Sequence, residues 1–167
     1  MISPRRLGTY FAAPLFNEME RKYNQELTKE IEKFMDVFLP QRDGGLLVKL
    51  VNEGTPVHLA EQKIFEGDLA AIEAADVAIA ILDGAHIDEG VAFEIGYAYA
   101  LGKPCVGLQT DARRALPTGN NPMLNRSLDF ICQSPAHLVD WLKCFVEEGR
   151  KTVRAPRRTV SNSVLSP

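Results

Sequence analysis

The chain has little of what staples or metallates a small protein. Its three cysteines, Cys105, Cys132 and Cys144, are an odd number without a Cys-x-x-Cys pair. That pattern argues against a disulfide framework or a thiolate zinc site. Each lies among apolar neighbours, so all three are expected to be buried free thiols. His58, His86 and His137 are scattered without metal-ligand spacing. No metal and no cofactor is expected, and His86 reads as a solvated loop residue. No apolar run approaches membrane-spanning length, and Met1-Ile-Ser-Pro-Arg-Arg6 leads into no apolar signal core. A cytoplasmic protein with no membrane partner is expected. With a net charge of -3 there is no basic field to attract a nucleic acid polymer.

Familiar site motifs are missing too. The loop after the first expected strand is Ala12-Ala-Pro-Leu-Phe16, not Gly-x-Gly-x-x-Gly, which removes a Rossmann dinucleotide site. There is no Walker A sequence and no Gly-x-Ser-x-Gly elbow. The acidic pair that a response-regulator-like domain would carry after strand one is absent as well.

What the sequence does have is a strand-loop-helix unit at its centre. Val77 to Leu82 is an apolar run of strand length. It breaks at the turn signal Asp83-Gly84, and a second apolar segment runs from Val91 to Leu101, ending at Gly102 with Pro104 beyond. The strand reads as buried on both faces, as parallel strands are. The helix is apolar nearly all round and so is expected to be buried. Glu94 lies within it, and a buried carboxylate is costly unless paired or functional. A charge favoured by the helix dipole is the plainer account; the cost of burial favours an active-site group. Asp83 and Asp88 stand in the loop before the helix, where open α/β sheets bind ligands.

Around this unit the pattern alternates. Strands are expected near 7–13, 36–40, 77–82, 104–108 and 128–132, and helices near 17–34, 59–75 and 135–148. The first helix has the stripe Met19, Tyr23, Leu27, Ile31 and Phe34. The second has the face Ile64, Phe65, Leu69 and Ile72, with Asp68 on or beside it. Asp68 is either an edge aspartate that reaches water or a second functional carboxylate. Residues 41–56 hold a turn at Gly44-Gly45 and a short apolar segment, and read as a pocket wall or as a plain connector. Residues 111–126 read as a polar loop. The alternation β-α-β-α-β-α-β-β-α implies an α/β protein with a parallel sheet and helices on both faces. One domain is expected over 1–149. The basic segment 150–167 is either a poorly ordered tail or a piece that docks on a neighbouring subunit. Carboxylates at the sheet's carboxyl edge, with Tyr10 and Phe11 beside them, suit glycosidic chemistry.

Three separated segments carry a more specific signal. Tyr10-Phe-Ala-Ala-Pro-Leu-Phe-Asn17, Glu66-Gly-Asp-Leu-Ala-Ala-Ile72 and Asp83-Gly…Asp88-Glu-Gly…Phe93-Glu-Ile-Gly-Tyr-Ala98 together resemble the nucleoside 2-deoxyribosyltransferases, in the right order over roughly 7–133. The resemblance implies a flavodoxin-like three-layer fold with five parallel strands in the order 2-1-3-4-5. It also implies base exchange on 2′-deoxynucleosides through a covalent deoxyribosyl-enzyme. By the same resemblance Glu94 is the nucleophile and Tyr10 the residue that positions it. Asp68 and Asp88 hold and protonate the base and contact the sugar. Phe16, Asp83, Gly84 and Gly90 are candidate substrate contacts. Asn121, with Asn125 as the rival, reaches the sugar of a neighbouring subunit, which requires at least a homodimer.

The implied partners are 2′-deoxynucleosides and free purine or pyrimidine bases. Glu94 near a helix start is expected to stay ionised, and Asp68 on a half-apolar face to hold a raised pKa. A sister group that hydrolyses 2′-deoxynucleoside 5′-monophosphates carries Ser, Arg and Gly for the phosphate after strand one. Pro14-Leu-Phe-Asn-Glu-Met-Glu20 is acidic and lacks serine, although Arg21 and Lys22 follow. A non-catalytic nucleoside-binding module is the third alternative.

Overall fold

The computed structural model describes residues 5–113 and 119–151. The chain opens with strand β1 (Gly8–Ala12), which is followed by helix α1 (Glu18–Ile31) and strand β2 (Asp36–Phe38). Two short helices come next, α2 (Pro40–Asp43) and α3 (Leu47–Asn52), and then the long α4 (Val57–Ala74). The central unit is strand β3 (Val77–Ile81) and helix α5 (Glu89–Ala100). Strand β4 (Cys105–Leu108), helix α6 (Pro122–Ser127), strand β5 (Phe130–Cys132) and helix α7 (Pro135–Lys151) complete it.

The five strands form one parallel sheet in the order β2-β1-β3-β4-β5. Each of the five expected strands is present, trimmed by a residue or two at its ends, and the expected order holds. The helix expected over 17–34 stops at Ile31. Asn17 starts it with a capping box: its side chain accepts from the Glu20 N–H, and Glu20 reaches back to the Asn17 N–H. Pro40, expected to end strand two, instead opens α2, where its missing N–H costs nothing.

Each sheet face has its own core. Phe11, Ile79, Ile81, Val106 and Leu108 meet Leu27 and Ile31 of α1 and Leu138 and Leu142 of α7 on one side. On the other, Tyr10, Ala12, Ala78, Ala80 and Leu82 meet Ile72 of α4 and Val91, Ile95 and Ala98 of α5. Gly107 of β4 makes room on this second side, because a Cβ there would run into the Leu82 side chain.

Four expectations need correction. Helix α5 is not buried all round: Val91, Ile95 and Ala98 are buried, while Phe93 is 52% and Tyr99 46% exposed. A helix lying on one face of a sheet has only one face to hide, whatever its composition. Phe65 of α4 is likewise 52% exposed, and Met19 of α1 is 83% exposed, so neither belongs to the stripe assigned to it. Cys144 is exposed on α7, although Cys105 and Cys132 are buried free thiols as expected. Residues 111–126 are not all loop, since α6 occupies Pro122–Ser127 with Pro122 at its first position. Residues 114–118 of that segment, and the basic tail from Thr152 onward, lie outside the described residues.

Candidate active site

The site forms where β1 and β3 end under α4 and α5. Tyr10, fully buried in β1, points to the α4–α5 side, and its hydroxyl donates to Glu94 Oε1 at 2.5 Å. Its ring stacks on Phe38 of β2, with centroids 5.6 Å apart and planes 15° from parallel. Tyr10 and Phe38 are register partners across the parallel pair. The tyrosine is therefore held at its ring as well as at its hydroxyl. Burial and the adjacent Glu94 push its pKa far above the ordinary value, so it remains a donor.

Glu94 lies in the middle of α5, above the sheet. Burial pushes its carboxyl up to about 7; the Tyr10 hydrogen bond pulls it down, and Asp68 and Asp88 push it up. The expectation that a helix start keeps Glu94 ionised is not met, because desolvation outweighs the dipole this far along the helix. Asp68 behaves as expected: burial raises its carboxyl to about 6. Its charge is felt by both Glu94 and Tyr10, which puts the three groups together.

These groups open into a cleft of about 330 Å³. Asp68, Phe65 and Ile72 of α4 line it, with Gly90, Phe93 and Glu94 of α5. Leu47 of α3 also lines it, so part of the 41–56 excursion is a wall of the pocket rather than a plain connector. Phe65 and Phe93 have ring centroids 6.0 Å apart, and Phe93 stacks on Tyr97. A cleft of mostly apolar walls with a few carboxylates at its base suits a flat ligand carrying one polar edge.

Asp88 is the N-cap of α5. Its Oδ1 accepts from the Gly90 and Val91 N–H groups at 3.0 and 3.1 Å, and its charge reaches Glu94. The other residues singled out in the sequence stand elsewhere. Asp83 accepts from the Thr110 N–H, the Thr110 hydroxyl and the Asp111 N–H, and so ties the end of β3 to the loop after β4. Gly84 beside it has a φ of +116°, a left-handed turn that favours glycine. Phe16 is 75% exposed at the start of α1. Asn121 is exposed and caps α6 through the Met123 N–H at 2.9 Å. Asn125 is turned inward, its Nδ2 donating to the Asn120 carbonyl at 3.5 Å. Asn120 itself is buried in a reciprocal pair with Gln109, 3.0 Å each way.

Phe38, Phe93 and Glu61, all at or next to the cleft, were not visible as site residues in the sequence, and Leu47 was visible only as part of a candidate pocket wall. Phe38 becomes a neighbour of Tyr10 only through strand pairing, and Leu47 and Glu61 only through the packing of α3 on α4. Among the described residues no group of three or more His, Cys, Asp or Glu side chains is placed to hold a metal ion. No helix among them is long and apolar enough to cross a membrane.

Comparison with known proteins agrees with this fold. A conserved protein from Enterococcus faecalis superposes with a TM-score of 0.69 at 27% identity, over 84% of this chain and 99% of that one. A 2-deoxyribosyltransferase from Bacillus psychrosaccharolyticus gives 0.68 at 24%, over 83% and 95%. A CMP N-glycosidase from Clostridium botulinum shares the fold at a TM-score of 0.52 and 19% identity, over 83% and 98%. No curated protein matches the sequence. The model of the nucleoside 2-deoxyribosyltransferase family matches residues 9–152, most of the length including both sheet faces and the cleft, and the chain belongs to that family.

Proposed function

We propose that the protein moves the 2-deoxyribosyl group of a 2′-deoxynucleoside from one nucleobase to another, with Glu94 as the nucleophile. What supports this most is the Tyr10–Glu94 hydrogen bond at the base of an apolar cleft that also holds Asp68. The hydroxyl occupies Oε1 and leaves Oε2 to attack. In the first half-reaction a Glu94 oxygen bonds to the anomeric carbon as the carbon–nitrogen bond to the base breaks. The leaving ring nitrogen takes its proton from Asp68, whose raised pKa keeps a share of it protonated near neutral pH. In the second half, a ring nitrogen of the incoming base attacks the same carbon, returns a proton to Asp68, and Glu94 leaves. Two inversions give overall retention. Asp88, with Oδ1 held by the helix start, offers its other oxygen to the substrate. Asn121, exposed on α6, reaches the sugar of a neighbouring subunit, so the active species is at least a dimer.

The test is incubation with deoxyinosine and free adenine. Deoxyadenosine and hypoxanthine are expected, with little free deoxyribose. Free deoxyribose alone would mean a hydrolase, and no reaction a binding module. Hydrolysis of a deoxynucleoside 5′-monophosphate has less support, because Arg21, the nearest cation after β1, donates to the Leu15 carbonyl.

A further inference from the structure

The outer end of the cleft carries a polar group with no role so far. Glu61, Phe65, Asp68 and Ile72 follow one another along α4 at spacings of three or four and share one face. Phe93 of α5, its ring centroid 6.0 Å from that of Phe65, adds apolar surface beside this row. Glu61 precedes Asp68 by seven residues, about two turns or roughly 10 Å of helix rise. The cleft thus has Asp68 and Glu94 at its inner end, apolar walls between, and Glu61 at its mouth. Glu61 makes no hydrogen bond or ion pair among the described residues, whereas its neighbours Gln62 and Glu66 are bonded to each other at 2.8 Å.

On the transferase reading, a base lies in this slot with its reacting nitrogen at the inner end. The span to Glu61 fits a base with a hydrogen bond of about 3 Å at each end, one at its reacting nitrogen and one at the substituent opposite. A carboxylate at the outer end accepts hydrogen bonds and cannot donate them. We infer that Glu61 is a specificity-determining residue that selects bases bearing an amino group opposite the reacting nitrogen, at position 6 of a purine. The amino group donates to Glu61, whereas a 6-oxopurine in the same pose places its carbonyl against the carboxylate, and only a turned base brings its N1–H there instead. Among purines the preferred substrate class is therefore 6-aminopurine deoxynucleosides and adenine, ahead of hypoxanthine.

The experiment compares kcat/KM for deoxyadenosine and deoxyinosine as donors, and binding of free adenine and hypoxanthine by calorimetry. Both are measured on the wild type, Glu61→Gln and Glu61→Lys. The wild type should favour the amino form at least about fivefold, as expected for one partly solvated hydrogen bond to a charged group. Glutamine both donates and accepts, so Glu61→Gln should bring the ratio close to one. Lysine only donates, so Glu61→Lys should invert it. A wild type that favours hypoxanthine, or a ratio unmoved by both variants, overturns the inference. If no donor reacts, the transferase reading fails by itself, and the adenine-to-hypoxanthine binding ratio still decides the role of Glu61.

Discussion

Val77, Ile79 and Ile81 of β3 point to one side of the sheet; Ala78, Ala80 and Leu82 point to the other. The first side is bulky and closed by α1 and α7, with Ile31, Leu138 and Leu142 fully buried against it. The second is built largely from alanine, so α4 and α5 sit over small side chains, and it also holds Tyr10. Its covering helices keep large apolar groups in partial contact with water: Phe65, Phe93, Leu59 and Tyr99 are all 46% exposed or more. One side is a packed core. The other gives up apolar burial to keep a cleft open and to hold two carboxyl groups well above their ordinary pKa. A single strand thus separates what stabilises the protein from what makes it act, and each side can be disturbed separately.

The largest effect is expected on the cleft side. Glu94→Gln preserves shape and removes the charge, and should lower base exchange by at least about a thousandfold, on the order of 4 kcal/mol of transition-state stabilisation. Its thermal unfolding at neutral pH should stay at or above that of the wild type, because no buried charge has to be desolvated. The mirror-image result is expected across the sheet. Ile79→Ala should cost about 3 kcal/mol of stability in urea unfolding while leaving kcat per folded molecule unchanged. Ala80→Val, one residue along and facing α4 and α5, should cost less, about 1–3 kcal/mol, and reduce kcat as well by displacing the Glu94 helix.

Stability should also depend on pH through the cleft side. The Glu94 carboxyl has an ordinary value of 4.5 and lies at about 7 in the fold. Between those values the folded chain holds a proton that the unfolded chain has lost. The stabilising contribution is complete below the lower value and is lost as pH rises toward 7. The difference between wild type and Glu94→Gln should change by about 2 kcal/mol over this window, read from melting curves at a series of pH values. Exchange needs Glu94 ionised and Asp68 protonated, so kcat/KM should trace a bell with its maximum between about pH 6 and 7, rising as Glu94 ionises and falling as Asp68 loses its proton. The smallest effect is expected at Tyr10. Tyr10→Phe removes the hydrogen bond that holds Glu94 down, so the bell should be lower with its maximum at higher pH, and kcat/KM at pH 7 should fall about tenfold.

The packed side was the easier of the two to read in the sequence. Strand-length apolar runs, the helix stripes and the turn signals located all five strands, because burial on both faces of a parallel sheet leaves a strong pattern. Glu94 and Asp68 were legible for the opposite reason, as charges set against that pattern. What stayed hidden depends on partners distant in sequence. Asp83 looks like a free loop acid, yet its oxygens are taken by Thr110 and Asp111. Phe93 and Phe65 look like core, because composition does not say which face of a helix meets the sheet. Phe38 looks like an ordinary strand residue until register sets its ring against Tyr10. Glu61 looks like one more solvated charge until Leu47 and Phe93 close a cleft next to it.

The central claim is that Glu94 carries the sugar during transfer. The direct measurement is to mix the enzyme with a slow deoxynucleoside donor without an acceptor base, quench in acid, and map the digest by mass spectrometry. One deoxyribosyl mass should be found on the peptide containing Glu94, absent in Glu94→Gln and removed on adding adenine before the quench. A label on Asp68 or Asp88, or exchange at near wild-type rate in Glu94→Gln, would contradict the account.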